Sequence, residues 1–150
     1  MSGTWAPHVT VAAIVERDHQ FLIVEEYIRD AHLLNQPAGH WERGESLIDA
    51  VIRETREETA YHVAPRALIG IYTWQPADLT RTYLRFAFSA DVLSHDADAP
   101  LDADITRALW LSPAELNARQ AQHRSPLVMR CVQDYLSGQR FPLDLLSHYA

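Results

Sequence analysis

The stretch GHWERGESLIDAVIRETREETAY, residues 39–61, decides the fold, because it changes from turn-forming residues to a helical pattern within a few positions. Residues 34–44 are rich in turn formers and show no periodicity, which predicts a loop. Residues 46–59 place apolar side chains on one face at helical spacing, which predicts a helix. The sequence therefore predicts a loop that leads directly into an amphipathic helix.

Three carboxylates lie beside the apolar face of this predicted helix. On a helical wheel of about 100° per residue that starts at Leu47, they fall within about 80° of it: Glu54, Glu57 and Glu58. Like charges at this spacing repel, and burying them beside a core costs far more unless they are neutralised. Either arginines pair with them in a salt-bridged surface helix, or they hold a divalent cation such as Mg²⁺, which prefers hard oxygen ligands. Arg53 falls on the far side of the wheel, which counts against the salt bridges.

The spacing of these residues matches a known motif. Gly39 is followed after five residues by Glu45 and after seven more by RETREETAY, residues 53–61. This pattern resembles the Nudix box and is much more specific than a lone glycine motif. Thr55 replaces the usual aliphatic residue and Ala60 the usual glycine, which normally adopts a left-handed conformation there. Neither change removes a carboxylate.

The resemblance implies an α/β protein, a Nudix α/β/α sandwich with a central mixed sheet, that hydrolyses phosphoanhydride bonds with Mg²⁺, for which Mn²⁺ can substitute. Carried over by position, Glu54, Glu57 and Glu58 are metal ligands, and Glu45 is a supporting carboxylate or outer ligand. The catalytic residues are Glu58, Glu54 and Arg53. Glu58 is the favoured general base, and Arg53 orients the glutamates or ties down the loop.

Two acidic residues precede a predicted strand where Nudix enzymes often add a distal acid. They are Asp102 and Asp104, and a carboxylate from such a loop is also an alternative general base. The competing interpretation is an acidic loop that is only solvated.

The substrate contacts are predicted from a glycine, two tryptophans and an arginine. On the predicted strand at residues 82–90, Arg85 points away from the apolar set and, with Trp74, would supply a phosphate-binding charge and a stacking surface. Ordinary sheet packing with an exposed arginine is the alternative. Trp41 has the same two interpretations, and Gly39 would let the backbone turn tightly or approach the metal.

Composition limits the class of partner. The net charge of −7 argues against nucleic acid polymers, because non-specific binding depends on Lys and Arg. The single cysteine, Cys131, forms no intramolecular disulfide or zinc cluster and is predicted to be a core thiol. No apolar stretch reaches the roughly 18 residues of a membrane span, and we expect a cytoplasmic protein. Small phosphorylated metabolites remain as partners.

The rest of the chain predicts one α/β domain over residues 1–150. We expect a hairpin of strands at 8–16 and 20–25, and further strands at 67–74, 81–92 and 108–111. Ser112 begins a helix with a capping box, and another helix runs from Pro126 to about Leu136 and stops at Gly138.

Matches outside the box resemble a bacterial phosphatase branch of the Nudix family. They lie at residues 7–12, 35–40, 84–86, 124–128 and 137–143. They imply hydrolysis of nucleoside tri- and diphosphates and of hydroxymethylpyrimidine pyrophosphate, with release of orthophosphate. The alternatives are cleavage of dinucleoside polyphosphates or nucleotide sugars, and a non-catalytic module that senses nucleotides. The chain is expected to be a monomer or a homodimer.

Overall fold

The computed structural model describes residues 3–150, which contain eight strands and three α-helices. The strands are β1 (His8–Ile14), β2 (Glu16–Arg17), β3 (Gln20–Ile28), β4 (Ala31–Asn35), β5 (Ala38–His40), β6 (Tyr61–Trp74), β7 (Tyr83–His95) and β8 (Ile105–Leu111). The helices are α1 (Leu47–Thr59), α2 (Pro113–Ala118) and α3 (Leu127–Leu136), with 3-10 turns at Gln120–Gln122 and Leu143–Leu145. No helix in this range is long and apolar enough to span a membrane.

Two sheets lie between the helices. One has the order β5-β1-β7-β6 and is mixed, because β1 runs parallel to β7 while its other pairings are antiparallel. In the other, β3 pairs with β2, β4 and β8, all antiparallel. One core cluster includes residues of α1 and the other includes residues of α2 and α3. The predicted α/β sandwich with a mixed sheet is confirmed.

The helix of the deciding stretch is confirmed as α1. The Ser46 hydroxyl accepts the Asp49 backbone N–H at 3.0 Å and so caps the first turn. Ala50 and Val51 are fully buried on the predicted face. Ala60 ends the helix with φ 63°, the left-handed conformation that glycine usually supplies. Ala60 thus keeps the geometry of the missing glycine, at a cost of roughly 1–2 kcal/mol for an L-residue.

The C-terminal helices begin within one residue of the predicted starts, and α3 ends at Leu136 as predicted. The Ser112 hydroxyl accepts the Glu115 N–H at 3.1 Å, and the Glu115 carboxylate accepts the Ser112 N–H at 3.0 Å, which completes the capping box. Cys131 is a fully buried core thiol on α3. The chain leaves α3 through Gly138, which has φ 89°.

The predicted hairpin of residues 8–16 and 20–25 is wrong over most of its length. Only β2 pairs with the start of β3, around Asp18 and His19. β1 pairs with β5 and β7 instead. Residues 11–15 are at most 1% exposed, and a strand buried on both faces needs hydrogen-bonding partners along both edges, which a hairpin does not supply.

The predicted loop at residues 34–44 contains the end of β4 and all of β5. Gly39 lies opposite Val11 of β1, so the glycine segment is fastened to the central sheet. A strand of three residues is too short to show an alternating pattern, which is why the sequence did not predict it. The other predicted strands are confirmed as β6, β7 and β8, although β6 begins earlier, at Tyr61.

Candidate active site

A cleft of about 390 Å³ opens where the end of α1, β3, β7 and the start of α3 come together. Its walls combine carboxylates with arginines. The acidic side chains are those of Glu26, Glu42, Glu54, Glu58 and Asp104, and the basic ones are those of Arg81, Arg85 and Arg124. Such a cleft suits a ligand that brings both a cation and an anionic group.

Three carboxylates form a candidate metal site at the edge of this cleft. Oxygens of Glu54, Glu57 and Asp102 lie within 4.8 Å of one another. The Asp102 backbone N–H donates to the Glu57 carbonyl oxygen at 3.0 Å, which docks the exposed acidic loop on α1. Hard oxygen donors at this spacing fit a divalent cation such as Mg²⁺. The structure therefore brings Asp102 next to the α1 carboxylates, whereas Asp104 lines the cleft.

Glu58 lies outside this trio but inside the cleft. Its side chain is 8% exposed and accepts the Ala38 backbone N–H at 2.9 Å. Burial raises the pKa of Glu58 to about 9. Burial likewise raises the pKa of Glu54 to about 7, although Arg53 opposes the shift. A nearby divalent cation would offset the cost of ionising both groups.

Arg53 lies at the centre of the carboxylates. It donates to both oxygens of Glu45, at 2.8 and 2.9 Å, and to Glu54 and Glu57 at 2.8 and 3.2 Å. It also donates to the His40 carbonyl oxygen at 3.1 Å. The salt-bridge alternative is therefore partly right, since the long side chain reaches back from the far side of the helix. One guanidinium still leaves the group with excess negative charge.

These contacts give two of the predicted residues supporting positions. The hydrogen bonds from Arg53 lower the pKa of Glu45. Glu45 also accepts the Glu42 backbone N–H at 3.0 Å, so its carboxylate is engaged within the loop. This geometry fits the prediction that Arg53 orients glutamates and that Glu45 is a supporting carboxylate.

Gly39 leaves space for a side chain of α1. A Cβ atom at this position would clash with the Glu54 carboxylate, which packs directly against the glycine backbone. Gly39 has no positive φ, and the structure shows a close approach to the Glu54 carboxylate at this position, so its approach to a metal stays a prediction. The pairing of β5 with β1 thus makes room for a candidate metal ligand.

Arg85 forms the buried basic part of the cleft. It is 6% exposed and donates to the side-chain oxygens of Gln36 and Asn35 at 2.9 and 3.0 Å. Within residues 3–150 no carboxylate lies in salt-bridge range of it. The alternative of an exposed arginine is wrong. A buried guanidinium held by neutral amides retains its charge for an anionic ligand.

The two predicted tryptophans lie in different places. Trp74 lines the cleft and stacks on Tyr83, with ring centroids 5.5 Å apart and an interplanar angle of 22°. Trp41 lies outside the cleft, and its indole N–H donates to the Glu45 carbonyl oxygen at 2.7 Å. The fold therefore brings Trp74 together with Arg85 and leaves Trp41 apart.

Sequence reasoning missed Glu26 and Arg124. Both line the cleft, and Arg124 donates to Glu26 at 2.8 Å. The available signal was the pair Glu25-Glu26, which comes directly after the apolar run at residues 21–24. Successive residues of a strand point to opposite sides of the sheet, so one acid of such a pair faces the interior.

Clustered carboxylates opposite a buried arginine are typical of enzymes that bind phosphate through a divalent cation. Comparison with known proteins identifies the family. The model of the NUDIX domain matches residues 6–131, and the chain belongs to the Nudix family.

The similarity extends over nearly the whole chain. Phosphatase NudJ of Escherichia coli strain K12 is 40% identical over 143 residues, which are 95% of this chain and 92% of the relative. A solved NUDIX hydrolase from Nitrosomonas europaea is 53% identical, with a TM-score of 0.94 over 96% of this chain and 98% of that one. The chain is thus a Nudix hydrolase that resembles the NudJ phosphatases.

A more distant structure shares the fold alone. The NUDIX domain of Shewanella oneidensis NrtR, solved as a complex with ADP ribose, has a TM-score of 0.68 and is 17% identical. The match covers 90% of both chains. The same sandwich therefore occurs in proteins whose sequences have diverged widely.

Proposed function

We propose that this Nudix hydrolase removes the terminal phosphate from nucleoside tri- and diphosphates and from hydroxymethylpyrimidine pyrophosphate, and releases orthophosphate. The observation that carries the proposal is the 40% identity to phosphatase NudJ over 95% of the chain. The cofactor is Mg²⁺, for which Mn²⁺ substitutes, because the candidate metal site of Glu54, Glu57 and Asp102 is built from carboxylate oxygens.

The carboxylates of Glu54, Glu57 and Asp102 hold the cation, with Glu58 as a further ligand or as the base. When bound, the cation offsets phosphate charge and makes water more acidic. Arg53 keeps Glu54 and Glu57 oriented through its two hydrogen bonds.

The hydrolytic step needs a base and an anion site. Glu58, in the ionised form that a bound cation would favour, takes the proton of the attacking water. Arg85 balances the charge of the phosphate across the cleft. The water oxygen bonds to the terminal phosphorus, the bridging P–O bond breaks, and the nucleoside diphosphate leaves with the bridging oxygen.

The organic part of the substrate meets an unselective surface. Stacking on Trp74 and Tyr83 accepts any planar ring, so binding depends chiefly on metal and phosphate contacts. We expect the four nucleoside triphosphates to differ in kcat/KM by no more than about tenfold, which corresponds to roughly 1.4 kcal/mol.

The test is product analysis at early times. Each triphosphate is incubated with Mg²⁺, and samples are separated by ion-exchange chromatography. The proposal requires orthophosphate and the diphosphate first, then the monophosphate, and orthophosphate from hydroxymethylpyrimidine pyrophosphate. Pyrophosphate and monophosphate as first products would refute the phosphatase specificity while leaving the family assignment intact.

A further inference from the structure

Arg124 is a further arginine of the cleft and lies just before α3. The Arg124 backbone N–H donates to the Leu34 carbonyl oxygen at 2.8 Å, which ties this segment to β4. The next residue, Ser125, is 8% exposed and lines the cleft. The backbone that carries Arg124 is therefore fixed, although its side chain is 35% exposed.

The Arg124 side chain is held by one buried carboxylate. Its Nη1 donates to Oε2 of Glu26 at 2.8 Å, and the Glu26 side chain is 11% exposed. A guanidinium has five N–H donors, and within residues 3–150 no second acceptor contacts that of Arg124. The remaining donors are available to a ligand in the cleft.

The neighbouring residue of β3, Glu25, also forms salt bridges, but these lie outside the cleft. Glu25 accepts from Arg107 at 3.0 Å and from Arg119 at 3.5 Å, and none of these three residues lines the cleft. The pairing of β3 with β8 shifts register between Glu25 and Glu26. Such a bulge changes the direction of the side chains, so Glu25 and Glu26 lie in different surroundings.

We propose that Arg124 binds a phosphate group of the substrate that the cation does not hold, and that Glu26 positions Arg124. This inference rests on the proposed function. A polyphosphate carries more negative charge than one divalent cation neutralises, and Arg85 is already fixed by two amides. Arg124 supplies a further positive charge, as a fork that matches phosphate oxygens.

The proposal is tested by steady-state kinetics with MgATP and MgADP on matched variants. Loss of a charge-assisted contact predicts that Arg124→Ala raises KM about ten- to a hundredfold, with a smaller change in kcat. Arg124→Lys restores only part, because an ammonium lacks the fork. Arg107→Ala, which removes the neighbouring salt bridge outside the cleft, stays within about twofold of the wild type.

Glu26 is tested through its dependence on Arg124. Glu26→Gln keeps an acceptor for the guanidinium and has a smaller effect than Glu26→Ala. If Glu26 acts only through Arg124, Glu26→Ala has no further effect in the Arg124→Ala background. In each variant, the affinity for a methylene-bridged ATP analogue, measured by calorimetry, falls by the same factor as KM rises.

The outcomes separate the two proposals. Equal kinetics for Arg124→Ala and Arg107→Ala overturn the inference, with wild-type hydrolysis untouched. A Glu26→Ala effect that adds to that of Arg124→Ala, or a shifted Mg²⁺ half-saturation, shows that Glu26 acts on the metal and overturns its positioning role. If Glu26→Ala fails to fold, the KM values of Glu26→Gln and Arg124→Lys still test whether the two residues act together. Absence of phosphate release by the wild type from every substrate refutes the proposed function instead.

Discussion

Glu58→Gln should make the metal-free protein more stable while it lowers activity. Glu58 is 8% exposed, and burial raises its pKa from 4.5 to about 9. Glutamine removes the charge, and its side-chain oxygen still accepts the Ala38 N–H. Replacing a residue that only stabilised the fold would lower the free energy of unfolding instead.

The size of the effect follows from linkage between protonation and folding. Because the folded pKa of Glu58 is raised, its contribution to stability is fully present below pH 4.5 and is lost as pH rises towards about 9. Each pKa unit is worth about 1.4 kcal/mol, so the interval up to pH 8.5 corresponds to at most about 5 kcal/mol. Water entry and side-chain movement relax a buried charge, so we expect roughly 2 kcal/mol.

The assay is urea unfolding in EDTA, followed by tryptophan fluorescence at pH 5.5 and pH 8.5. Glu58→Gln should exceed the wild type by only about 0.5 kcal/mol at the lower pH and by roughly 2 kcal/mol at the higher one. Glu57→Gln is the control on the same helix, and its side chain is 41% exposed. A variant less stable than the wild type at pH 8.5, or a gain equal at both pH values, would refute the reasoning.

Three further predictions concern the metal site. Glu57→Gln should lower kcat at least about a hundredfold with an unchanged circular dichroism spectrum, and near wild-type turnover at saturating Mg²⁺ would exclude it as a ligand. Gly39→Ala should raise the Mg²⁺ concentration for half-maximal activity about tenfold, because its Cβ displaces the Glu54 carboxylate, and an unchanged Mg²⁺ titration would contradict the packing argument. EDTA should abolish hydrolysis and Mg²⁺ or Mn²⁺ restore it, whereas restoration by Zn²⁺ alone would argue against an all-oxygen site.

Local signals were enough to predict α1 and its carboxylates. The apolar face and the three glutamates all lie within one short segment, so periodicity places them without tertiary information. Arg53 was assigned to the far side of the helix, and the contacts of its guanidinium with the carboxylates were not predicted from the wheel. A wheel follows Cβ directions, whereas a long guanidinium side chain reaches around the helix to its neighbours.

Long-range pairing was not readable in the same way. Glu26 and Arg124 are separated by 98 positions, and nothing in either segment alone indicates that they meet. The same applies to Arg85, whose burial depends on amides 49 and 50 positions earlier. The predicted hairpin failed for a related reason, since apolar run and turn signals do not reveal which strand covers each edge.

Strand β1 fixes the relative position of the two walls of the cleft, because it pairs with a strand of each wall. Its Thr10 pairs with Arg85 of β7 on one edge and with His40 of β5 on the other, and Gly39 is the next residue along β5. Neighbouring strands lie about 4.8 Å apart, so roughly 10 Å separate the backbone that cradles Glu54 from the backbone that carries Arg85. That span leaves room for a phosphate group held by a cation on one side and by a guanidinium on the other. The pairing of β1 with both β5 and β7 therefore sets the width of the site, while its residues 11–14 are buried in the core.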